Sequence, residues 1–134
     1  MSDAVTPEQS EFLKSHRLAV LATGRGDGSP QVSTIMYSFD GDTVVISAKA
    51  YTAKWKNAVR QPNIAMVVND GRAQLVLYGT AEGIAKDPER VTQHKRLLTA
   101  MGGDLPSDDE LIERLNSQDR TIIRITPTKV LFNE

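Results

Sequence analysis

The sequence predicts a mainly β protein, built as a small antiparallel barrel of six or seven strands with helices outside it or at its ends. The first observation is a series of short β-branched and apolar segments separated by turn residues. The second is a pair of hairpin signals, Asp40-Gly41 and Asp70-Gly71, which join neighbouring segments directly. The length of 134 residues suits a single domain, residues 1–134, with a core of its own.

Six strands are predicted from the apolar runs, and they cover residues 17–23, 29–39, 43–48, 63–69, 73–85 and 120–132. In the second strand, alternation places Ile35, Tyr37 and Phe39 on one face, opposite Thr34 and Met36. A strand with one apolar face packs that face on a core, as in a barrel. Gly79 and Gly83 indicate a bulge or bend in the fifth strand, and Pro127 restricts the last strand to an edge or bulge.

Four short helices are predicted from cap signals, and they begin after Thr6, Thr52, Asp87 and Ser107. The first and last of these caps have the residue spacing of a capping box. The second helix, residues 53–60, is stopped by Pro62.

Composition narrows the class of protein. The formal net charge is −1, which gives no reason to expect nucleic-acid binding. The chain has no cysteine, so disulfides and cysteine-ligated zinc are excluded. The first residues lack a cationic start and an apolar run, and no apolar stretch approaches the length of a membrane span. We therefore expect a cytoplasmic protein without a membrane partner.

No metal site and no catalytic side chain are predicted. The two histidines, His16 and His94, lie far apart on unrelated elements, so each is interpreted as an ordinary surface residue. Ser47 lies close to Lys49, but neither a Gly-x-Ser-x-Gly elbow nor a Ser-x-x-Lys motif surrounds it. Nucleophilic catalysis by Ser47 is therefore not expected.

The segment 47–60 concentrates positive charge in a chain whose formal net charge is −1. It carries four cations and no acid, and these cations are Lys49, Lys54, Lys56 and Arg60. With Thr52 as the predicted N-cap, the amides of the following helix and the nearby lysines suit a phosphate group. The alternative interpretation is a solvated basic helix face.

Several short segments, in order and at consistent spacing, carry a resemblance to a known family. They are Gly28-Ser-Pro-Gln-Val-Ser-Thr34, Tyr37-Ser-Phe-Asp-Gly41, Ile46-Ser47, Thr52-Ala-Lys-Trp-Lys-Asn57 with Pro62, and Gly79-Thr-Ala-Glu82. Together they resemble the pyridoxamine-5′-phosphate-oxidase-like superfamily of FMN-binding split β-barrels, and most of all its branch that binds the deazaflavin coenzyme F420. The resemblance covers roughly residues 11–85.

The resemblance implies a homodimer with two cofactor sites at the subunit interface. The strand 30–36 would lie along the cofactor ring, and its implied ring-binding residues are Gln31, Val32, Ser33, Thr34 and Met36. The next strand and helix would hold the phosphate, through Ser47, Lys49, Thr52, Lys54, Lys56 and Asn57. Thr52 stands where the family often has arginine, which removes one bidentate phosphate contact, and Lys49 adds a cation nearby.

The resemblance further implies an oxidoreductase that transfers hydride between reduced F420 and an activated double bond of a small organic substrate. The cofactor ring carries this chemistry, so the absence of a catalytic acid–base pair is expected. The acidic tail of F420 matches the extended positive charge of segment 47–60 better than FMN does. Two alternatives stay open: an FMN oxidoreductase of the pyridoxamine-5′-phosphate-oxidase type, and a non-catalytic module that binds a flavin-like or haem-like ligand.

Overall fold

The structure, a computed structural model, describes residues 2–133, and this part of the chain forms six strands and four helices. The strands are β1 (Leu18–Gly24), β2 (Pro30–Phe39), β3 (Val44–Lys49), β4 (Asn63–Asp70), β5 (Ala73–Ile84) and β6 (Arg120–Phe132). The helices are α1 (Pro7–Lys14), α2 (Ala53–Arg60), α3 (Glu89–Ala100) and α4 (Asp108–Ser117). Every predicted strand is present within one residue of its predicted ends.

The six strands close into an antiparallel barrel in the order β1-β2-β3-β6-β5-β4. This confirms the predicted fold class of a mainly β barrel with flanking helices. Each strand is paired on both sides over at least part of its length, so the barrel has less exposed sheet edge than an open sheet would have. No helix among residues 2–133 is long and apolar enough to cross a membrane.

Alternation along each strand separates the barrel core from its outer face. In β2 the predicted inner residues Ile35, Tyr37 and Phe39 are buried, while Thr34 and Met36 are exposed on the outer face. Two helices complete this core with side chains that belong to the same apolar cluster, Leu13 from α1 and Ala58 from α2. The core is therefore shared between the barrel and these helices.

The helix caps follow the predictions in part. Thr6 and Gln9 form a reciprocal capping box at α1, and the Ser107 hydroxyl accepts a hydrogen bond from the Glu110 amide at α4. Thr52 occupies the N-cap position of α2, but its hydroxyl donates to the carbonyl of Lys49 at 2.7 Å and caps no amide. The prediction of a Thr52 side-chain cap is wrong because the hydroxyl bonds the preceding turn instead.

The barrel splits between β2 and β3. These strands pair only through the residues from Tyr37–Ile46 to Phe39–Val44. Beyond that point β2 continues along β1, while β3 continues along β6. The two strands therefore part at Met36 and Ser47, and α2 contacts both strands.

Helices α3 and α4 form a second layer over the outer face of β3 and β6. A small apolar cluster joins this layer to the barrel, and its members are Val45, Ile84, Leu97 and Ile122. The buried Arg90 fixes the layer further. Its guanidinium donates to the carbonyl of Arg120 at 3.2 Å, to Asn116 at 2.9 Å and to Asp87 at 2.9 Å. Each end of α3 is thus tied to a neighbouring element, since Arg96 also donates to the Ser38 carbonyl.

The bulge predicted near Gly79 and Pro127 is present. The register between β5 and β6 shifts between Tyr78 and Gly79, where Gly79 lies opposite Pro127. A proline cannot donate to the ladder, so the irregularity falls where the ladder is already interrupted. Gly83 lies under α2, where an added Cβ would approach Trp55 to 2.7 Å.

Replacing Gly79 with alanine is expected to lower the free energy of unfolding by about 1–3 kcal/mol. The new Cβ would lie 2.7 Å from the backbone oxygen of Thr126 and 2.7 Å from Ile125, and a backbone atom cannot swing aside. Urea unfolding measures the change. The control is Gly103→Ala, where an added Cβ meets nothing within 4 Å. Equal unfolding midpoints for the two variants would contradict the close packing at Gly79.

Candidate functional site

A cavity of about 470 Å³ opens where β2 and β3 part, and α3 and α4 form its other wall. One side of the cavity is apolar, lined by Met36, Leu97, Leu98, Met101, Leu111 and Leu115. The polar side carries Thr34, Ser47, His94 and Gln118. A concave, mostly apolar space with a few polar groups is the usual form of a small-molecule site.

Positive charge in this cavity comes from Lys54, Arg114 and Arg120, and no acidic residue of the described chain lines it. None of the three forms an ion pair within residues 2–133. Burial, and then the charge of Arg120, lowers the pKa of Lys54. These cations line one cavity without an acidic residue among its lining, so an anion placed here would offset their positive charge.

The register of β3 and β6 brings another cation to the same edge. Lys49 lies directly opposite Arg120, and like charges in that position destabilise a sheet. Residues of equal parity on β3 share a face, so Lys49 lies on the same face as Ser47. This face is the one that α3 covers, because Val45 of the same row packs on Leu97.

Ser47 and His94 meet at the floor of the cavity. Ser47 Oγ lies 2.9 Å from His94 Nε2, and His94 Nδ1 lies 2.8 Å from the carbonyl oxygen of Arg90. His94 is buried, so the prediction of a surface histidine is wrong at this position. Burial lowers the pKa of His94 most, with a further decrease from the charges of Arg90 and Arg120. Sequence reasoning missed this pair because 47 positions separate the two residues.

Four of the predicted cofactor residues line this one cavity: Thr34, Met36, Ser47 and Lys54. Val32 continues the exposed outer row of β2 on which Thr34 and Met36 lie. The structure therefore assembles residues from two strands and a helix that are separate in sequence. Their role in binding a cofactor stays a prediction.

Other predicted residues lie outside the cavity. Gln31 and Ser33 occupy the inner row of β2, where the Gln31 oxygen accepts from Thr23 and the buried Ser33 hydroxyl has no partner among the described residues. Lys56 is exposed on α2. Asn57 is buried and joins α2 to β1, since its amide donates to Thr23 at 3.1 Å. Asn57 thus has a structural role whether or not it contributes to a cofactor site.

Arg60 supplies less free charge than the sequence indicated. Its guanidinium donates to the carbonyl of Gly24 at 2.8 Å and to the Asn57 side chain at 2.9 Å. In its place the structure adds Arg114 and Arg120 to the basic surface. Neither arginine lies in the basic segment 47–60, and no local motif marks them, so only the packing of α4 and β6 could have revealed them.

Comparison with known proteins agrees with this fold and gives the family. The sequence model for pyridoxamine 5′-phosphate oxidase matches residues 5–134. A solved F420 reductase is 29% identical with a TM-score of 0.70, over 94% of this chain and 98% of that one. Two structures of lower sequence identity share the fold. A conserved hypothetical protein of Mycobacterium tuberculosis has a TM-score of 0.80 at 21% identity, over 98% of this chain and 84% of that one. HupZ of Group A Streptococcus has a TM-score of 0.71 at 16% sequence identity, over 96% of this chain and 94% of that one. The chain belongs to the pyridoxamine 5′-phosphate oxidase family.

Proposed function

We propose that this protein is a cytoplasmic, F420-dependent oxidoreductase that transfers hydride between reduced F420 and an activated double bond of a small organic substrate. The observation that carries the proposal is the acid-free cavity at the split between β2 and β3, with its three unpaired cations. The similarity to an F420 reductase at 29% identity supports the choice of cofactor.

The residues of the cavity fit a phosphate-bearing cofactor. Lys54, Arg114 and Arg120 offer positively charged donors, and Lys49 lies at the same edge of the sheet. This charge exceeds what one terminal phosphate needs, and it suits a cofactor with a phosphate linkage and an acidic tail. We therefore favour F420 over FMN.

The ring platform is the outer row of β2. Val32, Thr34 and Met36 present a flat strip of mixed apolar and hydroxyl character beside the cavity. When bound, the deazaflavin ring supplies the hydride chemistry. The leucines of α3 and α4 that line the cavity would exclude water from a bound cofactor, and the cations would hold its phosphate.

The test is a titration of the purified protein with F420 and, separately, with FMN, followed by fluorescence. Reduced F420 is then mixed with a panel of activated alkenes, and its oxidation is recorded. Binding of F420 together with turnover of an acceptor supports the proposal. Binding of FMN alone points to the FMN oxidoreductase, and F420 binding without turnover of any acceptor points to a binding module. Binding of neither cofactor would overturn the proposal.

The protein is also proposed to act as a homodimer, because a broad outer face of the barrel is apolar. Leu18, Val32 and Met36 are 58%, 63% and 45% exposed on neighbouring strands. The register continues this row across the sheet, where Val20 lies opposite Val67. Such a patch on a small protein is typical of a protein interface, and a second copy placed here would wall the cavity beside Met36.

The wild-type protein is expected to have twice the mass of one chain in size-exclusion chromatography with light scattering. Val32→Glu is expected to shift it to a monomer, because a twofold interface would bury two new carboxylates. The control is Leu105→Glu, at a residue that is 50% exposed in the loop between α3 and α4. A wild-type monomer at micromolar concentration would contradict the dimer.

A further inference from the structure

The hydrogen bonds around His94 define which way the Ser47 hydroxyl points. A backbone carbonyl can only accept, so the 2.8 Å contact with the Arg90 oxygen requires a proton on His94 Nδ1. In the neutral ring Nε2 is then an acceptor. At 2.9 Å, Ser47 must therefore donate its hydroxyl proton to His94 Nε2.

This direction makes Ser47 unsuitable for an anion in the resting state. With its proton committed to His94, Ser47 Oγ faces the cavity with lone pairs only. A phosphate or sulfate oxygen is also an acceptor, so the lone pairs of Ser47 Oγ and of the anion oxygen would repel each other. Ser47 becomes a donor to the cavity only when His94 carries a second proton and donates from Nε2 to Ser47 Oγ.

We propose that an anion held by Ser47 in this cavity takes up one proton on His94, so that His94 acts as a positioning residue that reverses the Ser47 hydrogen bond. The only bond that forms is the Nε2–H bond, with a proton taken from solvent. Nε2–H then donates to Ser47 Oγ, and the Ser47 hydroxyl donates to the anion. The inference rests on the proposed function only in naming the cofactor phosphate as the natural anion.

The charges around His94 favour this coupling. The charges of Arg90 on α3 and Arg120 on β6 oppose a cationic imidazole, and the charge of Asp87 favours it. Lys54 and Arg114 line the same cavity and add positive charge there. The facing strands β2 and β3 add no acid, since Lys49 is the charged residue that they contribute. An anion in the cavity offsets this repulsion, so binding and protonation favour each other.

Linkage between anion binding and His94 protonation gives the sign of the pH dependence of anion affinity. Burial and neighbouring cations lower the pKa of His94 in the free protein, and an anion raises it again. Because the complex binds more protons than the free protein, affinity falls as pH rises between the two pKa values. The fall is at most about tenfold per pH unit for one proton, and affinity is constant well below the free-state pKa and well above the bound-state pKa.

The test is an NMR titration of the imidazole signals against pH, without and with sulfate, an anion whose own charge is constant over this range. The chain has two histidines, so His16→Gln assigns both signals. Sulfate is added until the amide signals of Ser47 and Lys54 stop moving. We expect the pKa of His94 to rise with sulfate. The imidazole signals of His16, which lies 3.0 Å from Asp70 and does not line the cavity, should not respond to sulfate at a fixed pH.

Ser47→Ala distinguishes reversal of the Ser47 hydrogen bond from simple charge attraction between sulfate and His94. It keeps the cations and the sulfate but removes the hydroxyl, so most of the rise in the His94 pKa should disappear. His94→Gln should bind sulfate with an affinity that does not vary with pH, because an amide can donate at any pH. An unchanged His94 pKa in the wild type, or an equal rise in Ser47→Ala, would overturn the proposal, as would amide signals that never respond to sulfate.

Calorimetry with F420 in buffers of different ionisation enthalpy extends the test to the cofactor. Wild type is expected to take up more protons on binding than His94→Gln, and this difference cancels any proton that F420 itself exchanges. If F420 does not bind while sulfate still raises the His94 pKa, the proposed function fails and this inference stands. If F420 binds with equal proton uptake by both proteins, the inference fails and the proposed function stands.

Discussion

Replacing Lys54 with alanine is expected to weaken F420 binding roughly ten- to hundredfold, or by about 1.5–3 kcal/mol, the usual range for a charge-assisted hydrogen bond. Lys54 lines the cavity at the first turn of α2, is half-buried, and forms no ion pair within the described chain. Its charge is therefore available to a phosphate. Calorimetry at two salt concentrations measures the loss, and the wild-type affinity should fall with added salt.

The matched control for Lys54 is Lys86→Ala, which removes an exposed lysine that does not line the cavity. Its affinity for F420 should equal that of the wild type. The free energy of unfolding should change by less than about 0.5 kcal/mol in the control, as for most surface substitutions. If Lys54→Ala binds both F420 and FMN as tightly as the wild type, segment 47–60 returns to its alternative interpretation as a solvated basic face.

Replacing Ile122 with alanine is expected to lower the free energy of unfolding by about 2–5 kcal/mol and also to weaken anion binding. Ile122 is fully buried between the barrel and α3, in one cluster with Leu97, and it lies opposite Ser47 in the register. A cavity at this position removes packing contacts between the barrel and α3, the helix that contains His94. Urea unfolding gives the first effect and a sulfate titration gives the second.

Ile123→Ala is the matched control, because Ile123 is equally buried but faces the barrel interior. We expect a similar loss of stability, with sulfate affinity unchanged. If either alanine variant fails to fold, Ile122→Val and Ile123→Val make the same comparison at a cost of about 0.5–1.5 kcal/mol each. If the substitutions at Ile122 and Ile123 change sulfate affinity equally, the packing of Ile122 on α3 does not position the anion site.

Local patterns were sufficient to predict the elements of this fold. Alternation in β2 correctly separated Ile35 and Tyr37 from Thr34, since side chains on a strand point to opposite faces whatever the rest of the chain does. The capping box at Thr6 and the bulge beside Pro127 were also predictable from local sequence. Each depends on a hydrogen bond between near neighbours or on the missing donor of one residue.

The basic segment was predicted only in part. Its charge and the start of α2 follow from sequence, and Lys54 does line the cavity. The Thr52 cap was wrong because the hydroxyl is oriented toward the Lys49 carbonyl, to which it donates, and accepts from no helix amide. Asn57 was predicted to help hold the phosphate and Arg60 to add positive charge, and in the structure their side chains bond each other and β1. Sequence shows which groups can donate, and only the fold shows which donors are already used.

By itself, the sequence determined the barrel strands, the inner and outer rows of β2, and a local excess of positive charge. The tertiary structure decided where these features meet. It placed His94 against Ser47, and it brought Arg114 and Arg120 to face Lys54. These contacts join residues far apart along the chain, and they depend on how α3 and α4 pack on the barrel. Packing is a property of whole surfaces, so no short motif encodes it.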